Sequence, residues 1–133
     1  MSQENVELVC RALKAALSRP PDWPTVNALF DPKHEIVQLP HFIEGAHVGA
    51  RGFRDWRAMA EQAGDWRAEI GDATDLPDGR VAVQFCFQLK GGRSGAETAL
   101  HMGLLVSTRS GKVTRTETVP TWEDALKAAG VSE

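Results

Sequence analysis

The residues most able to do chemistry in this 133-residue chain are its histidines. His34 stands in the run HEIVQL, where strand alternation sets His34, Ile36 and Gln38 on one side and Glu35, Val37 and Leu39 on the other. If the first set faces an apolar interior, His34 is an imidazole partly withdrawn from water with a pKa near neutrality, and such a group can act as a general base. The alternative is a satisfied histidine in a pocket wall or in a contact between subunits. His41 and His47 follow in a loop expected to form the pocket rim. Metal binding would need the three imidazoles to converge with a carboxylate or a fourth histidine, and nothing in the spacing enforces that. Neither a metal nor a cofactor is expected.

Other residue types add shape more than reactivity. Phe53, Trp56 and Trp66 could stack on a flat ligand, or serve only as core. Arg51, Arg54 and Arg57 step by three along a helix and are expected to form its solvated face. Asp65, Asp72, Asp75 and Asp78 fall at strand ends and turns, where Asp bonds to the local backbone, so they are not read as catalytic carboxylates. Cys10 and Cys86 lie far apart among apolar residues and read as buried free thiols.

The elements that must position these groups can be read from periodicity. Ser2 can cap a helix over 2–18, with Val6, Val9, Leu13, Ala16 and Leu17 at helical spacing. Pro20 and Pro21 stop it. Asp22 caps a second helix in which Trp23, Val26, Leu29 and Phe30 share a face, ended by Asp31 and Pro32. The strand 34–39, the loop 40–49 and a third helix ending at Gly64 come next. From Trp66 the character is β, with Val81, Val83, Phe85 and Phe87 on one face of the run RVAVQFCFQL. Residues 97–119 form a long hairpin turning at Gly111, with Leu100, Met102, Leu104 and Val106 on its apolar face. Thr121 and Asp124 then cap a terminal helix carrying Trp122, Ala125, Leu126 and Ala129. Helices early and antiparallel strands late make an α+β chain, one domain over 1–133, with helices covering one face of a curved sheet.

Composition excludes several classes of function. The net charge of -3 gives no cationic surface for nucleic acid. The opening MSQENVE is polar and acidic, and no run approaches the apolar length of a membrane span, so a cytoplasmic protein is expected.

In SQENVELVCRAL, the DW leading to LFDP, GARGFRDW, DGRVAV, and the ending from GKVTR to ALKAAG, the chain resembles SnoaL-like members of the nuclear transport factor 2-like superfamily. The resemblance implies a cone-shaped α+β barrel, a curved mixed or antiparallel sheet wrapped on N-terminal helices, and an apolar pocket between them. It also implies a homodimer through the sheet's outer face, here around Gln84, Cys86, Gln88 and His101. The carboxylate base of enzymes resembling ketosteroid isomerase would fall on Gln38, and their oxyanion-hole pair on Leu13 and Leu104. The acid of the cyclases and epoxide hydrolases would fall near Thr118, with Thr116 and Thr114 on the same face. None of these side chains can do that chemistry at neutral pH.

Three functions stay open. The first is binding of a hydrophobic polyketide-, steroid- or terpenoid-like molecule, lined by Leu13, Phe30, Ile36, Phe53, Trp56, Trp66, Val83, Phe85, Met102 and Leu104. His34, Gln38, His47, Thr116 and Thr118 would be the orienting polar groups. The second is an isomerase, cyclase or hydrolase using His34 as general acid or base. The third is a non-catalytic dimeric interaction protein.

Overall fold

The computed structural model describes residues 2–37, 50–51, 57–58, 61–62, 64–77, 79–91 and 96–128. Two helices open the chain, α1 (Ser2–Leu17) and α2 (Trp23–Leu29). Strands β1 (Phe30–Val37), β2 (Ala50–Arg51), β3 (Asp65–Asp75), β4 (Val81–Gly91), β5 (Ala96–Arg109) and β6 (Lys112–Val119) follow, then a terminal helix α3 (Trp122–Ala128). Arg57, Ala58, Glu61 and Gln62 are also helical, within the third helix expected from the sequence. Among the described residues no helix is long and apolar enough to cross a membrane.

The strands form one six-stranded sheet in the order β2-β1-β6-β5-β4-β3. β1 runs parallel to β6 and every other neighbouring pair is antiparallel, so the sheet is mixed. The β5–β6 hairpin turns through Ser110 and Gly111, whose φ values of 54° and 77° suit the tight turn that a right-twisted hairpin favours.

Alternation decides what lies under α1 and α2. Val81, Val83, Phe85 and Phe87 of β4 face inward with Met102, Leu104 and Val106 of β5, and they pack with Val9, Leu13 and Ala16 of α1 in one core. Asp22 accepts a hydrogen bond from the Thr25 amide and caps α2, as its position before Trp23 and Pro24 suggests.

Several features depart from the sequence reading. Arg51, expected on the third helix, lies in strand β2, because it pairs across the sheet with Glu35 of β1. Phe30 is a strand residue, because α2 ends at Leu29 and Phe30 is already extended with φ -106° and ψ 138°. Helical spacing alone could not tell its last apolar position from the first of the strand. Both faces of β5 are buried between Met102 and Val106, because α3 lies on the sheet's other face. There Ala125 packs with Leu76, Ala82 and Leu105, so helices cover two faces, not one. Cys10 and Cys86 are free and only half-buried.

Gly103 is what lets α3 come so close. A Cβ at that position would sit 2.7 Å from the Thr121 carbonyl oxygen and 2.8 Å from Ala125 Cβ. The helix itself starts where the Thr121 hydroxyl accepts a hydrogen bond from the Asp124 amide at 2.9 Å.

Candidate functional site

His34 is placed by an irregularity in its own strand. Relative to β6, the register of β1 shifts between Phe30 and Glu35. Within the shift Asp31 Oδ1 accepts a hydrogen bond from the Lys33 amide at 2.7 Å, a local turn of the kind Asp favours. Beyond it the strand is regular, with Glu35 opposite Arg115 and Ile36 opposite Thr116. His34 and Ile36 are buried and Lys33 and Glu35 are exposed, as alternation requires.

The imidazole is 1% exposed. Its Nε2 meets the Thr116 hydroxyl at 2.9 Å, diagonally across the β1–β6 ladder, with the tautomer deciding which group donates. The ring also tilts against Phe30, with centroids 4.7 Å apart. Burial pushes the His34 pKa down to about 4, while the nearby Asp31 carboxylate pulls the other way. The ring is therefore neutral at physiological pH and a weaker base than the near-neutral value expected from its strand position.

Around this pair the inner face is apolar. Leu13, Phe30, Ile36, Trp66, Val83, Phe85, Met102 and Leu104 all belong to the buried cluster between helices and sheet. Thr118 is buried beside Thr116 on β6, whereas Glu117 between them is only half-buried. Thr114 is not on their face. A bulge opposite Ser107 and Thr108 puts Val113 inward instead, and the Thr114 hydroxyl donates to the Ser107 carbonyl. Gln38, His41, His47, Phe53 and Trp56 lie outside the described residues.

Arg57 is the functional-looking residue that sequence reasoning missed. The three-residue step of Arg51, Arg54 and Arg57 predicts a solvated face, yet Arg57 is buried, donating Nη1 to the carbonyls of Ala16 at 2.9 Å and Ser18 at 3.1 Å. Those carbonyls end α1, where a cation also complements the helix dipole. The guanidinium stands 4.7 Å from the centroid of Trp66, and Trp66 stacks on Phe87 at 6.3 Å. Burial lowers the Arg57 pKa from its ordinary value, with Glu61 opposing and Arg19 adding to the effect. No local sequence signal marks it, because the end of α1 and Trp66, which hold it, are distant in the chain.

The arrangement offers a neutral imidazole–hydroxyl pair inside an apolar interior. Such a pair can give or take hydrogen bonds from an uncharged polar group without the desolvation cost of a charge.

Comparison with protein families and with curated proteins found no match. Solved structures do match. TerC co-crystallised with polyporic acid aligns at TM-score 0.69 and 19% identity, over 95% of this chain and 97% of that one. An NTF2-like protein of unknown function from Burkholderia pseudomallei aligns at TM-score 0.69 and 16% identity, over 98% and 99%. A SnoaL-like polyketide cyclase from Jannaschia aligns at TM-score 0.65 and 15% identity, over 99% and 95%. With two helices packed in the curve of a mixed sheet and alignments that run nearly end to end, this chain has the α+β fold of the SnoaL-like and nuclear transport factor 2-like proteins.

Proposed function

We propose that this chain binds a small hydrophobic molecule of polyketide, steroid or terpenoid type against the inner face of its sheet, beneath α1 and α2. The observation that carries the reading is the buried His34–Thr116 pair at 2.9 Å, set in an otherwise apolar cluster. The hydrogen bond offsets the cost of burying the pair, and a hydroxyl such as that of Thr116, with one donor and two acceptor sites, has capacity for a ligand's own hydroxyl or carbonyl. Thr118 lies near enough in sequence to orient the same group. Gln38 and His47, with Phe53 and Trp56, complete the proposed lining. The fold neighbours support ligand binding in a general way, and one was crystallised with polyporic acid.

The test is a tryptophan fluorescence titration against steroids, phenolic polyketide-like compounds, terpenoid epoxides and fatty acids. Trp66, buried beside the core, is the expected reporter. Saturable quenching by one class supports the proposal. A flat response to all classes refutes it.

A second reading makes the same site catalytic, with His34 as general acid or base in an isomerase, cyclase or hydrolase step. It is favoured by the imidazole and a hydroxyl lying already within hydrogen-bond distance. It predicts that His34→Ala loses turnover while retaining binding. Retained turnover in that variant would exclude it. A third proposal is a cytoplasmic homodimer formed through the outer sheet face, where Gln84, Gln88 and His101 are exposed and Cys86 is half-buried. Sedimentation velocity would detect a single monomeric species if that contact is not made.

A further inference from the structure

The charges around the inner face limit what it can accept. Among the described residues the buried polar and charged side chains are His34, Arg57, Thr116 and Thr118. Arg57 is the fixed cation of this set, and it is committed elsewhere. Its Nη1 holds the Ala16 and Ser18 carbonyls at the end of α1, and its guanidinium stands 4.7 Å from the Trp66 ring centroid. Burial keeps His34 neutral at physiological pH, and the two threonine hydroxyls carry no charge there.

The elements packed around His34 and Thr116 supply no cation in its place among the described residues. Lys33 of β1 and Arg115 of β6 are exposed, on the strand faces opposite those of His34 and Thr116. Lys112 donates its Nζ to the Ala28 carbonyl at 3.0 Å. Arg11 and Lys14 of α1 are exposed, and α2 carries no charged side chain. The inward residues of β4 and β5 are apolar. The ionised group that acts on His34 is the half-buried Asp31 carboxylate, and its sign is negative. A ligand carboxylate would therefore meet an acid at this face and no uncommitted cation, and burying an anion without a partner is costly.

An uncharged oxygen meets no such cost. The Thr116 hydroxyl uses one donor or acceptor position on His34 Nε2, and in either tautomer it keeps capacity for a further partner. Resting on the reading of the inner face as a ligand site, we propose that this site selects by charge. It accepts an apolar molecule through an uncharged hydroxyl or carbonyl that Thr116 meets, and it excludes the carboxylate of the same apolar body. Alcohols and ketones are then the ligand class, and fatty acids fall outside it.

The probes are naphthyl methanol, methylnaphthalene and naphthoate, all substituted at the same ring position. Each is titrated at neutral pH into the isotopically labelled full chain and followed by amide chemical shifts. Naphthyl methanol is expected to move the Ile36 and Thr116 amides saturably. It should bind about fivefold more tightly than methylnaphthalene, the scale of one net hydrogen bond. Naphthoate should bind at least about a hundredfold more weakly than the alcohol, the scale of a buried charge without a partner. Naphthoate binding at those amides within about tenfold of the alcohol would overturn the selection by charge while leaving the ligand site itself standing. Equal affinity for naphthyl methanol and methylnaphthalene would overturn the part given to Thr116. If none of the three moves these amides, the ligand site falls, and this inference with it.

Discussion

Replacing His34 by glutamine should remove a specific part of the protein's acid sensitivity. The wild-type imidazole titrates at about 4 in the folded chain against an ordinary value of 6.5. Because burial depresses the folded value, the unfolded chain takes up the proton first. The stability this group supplies is complete above about pH 6.5 and declines as pH falls, until the folded ring also protonates near pH 4. At 1.36 kcal/mol per pKa unit the full loss is about 3 kcal/mol, of which about 2–3 kcal/mol is gone by about pH 4.5. Glutamine does not titrate and can still meet the Thr116 hydroxyl. Carboxylates also titrate in this window, but they do so in both proteins, so the comparison isolates His34. Urea unfolding followed by tryptophan fluorescence, at about pH 7.5 and about pH 4.5, measures the two losses. Wild type should lose about 2–3 kcal/mol more than His34→Gln across that interval. Equal losses would show that the imidazole is not held neutral by burial, and the electrostatic account of the site would fail.

Two other substitutions probe what frames the site. Gly103→Ala forces a methyl group to within 3 Å of the Thr121 carbonyl and of Ala125, so α3 must shift. A loss of about 1–3 kcal/mol is expected by chemical denaturation, with faster proteolysis near the C-terminus, and an unchanged midpoint would contradict the close packing of α3. Arg57→Met keeps the apolar stem but removes the hydrogen bonds to the Ala16 and Ser18 carbonyls. It should cost about 1–3 kcal/mol and alter the Trp66 emission, whereas wild-type stability in that variant would place Arg57 in solvent.

Much of the frame was legible in the sequence because it rests on local rules. Alternation in HEIVQL placed His34 and Ile36 on one buried face, and Asp22 before Trp23 and Pro24 marked the start of α2. Features set by contacts between distant segments were not legible. The turn at Asp31 to Lys33 lengthens β1 backwards to Phe30, but only pairing with β6 makes Phe30 extended. The bulge that sends Val113 inward in place of Thr114 depends on register with β5. The consecutive apolar run at Leu104, Leu105 and Val106 was a sign that both faces of β5 are covered, and Gly103 beside it marked a close approach. Arg57 gave no local sign, since its partners are carbonyls forty residues earlier. The depressed basicity of His34 likewise follows from full burial, which period-2 patterning indicates only as a direction.

The most direct test of a ligand at the inner face is the methyl resonance of Met102, which is buried in the core beside Leu104 and opposite Phe85. In protein labelled at its methionine methyl groups, the Met102 signal should move saturably with the same ligand class that quenches the tryptophans. If one class quenches tryptophan but Met102 stays fixed at saturation, the ligand is bound elsewhere and the inner-face site is wrong.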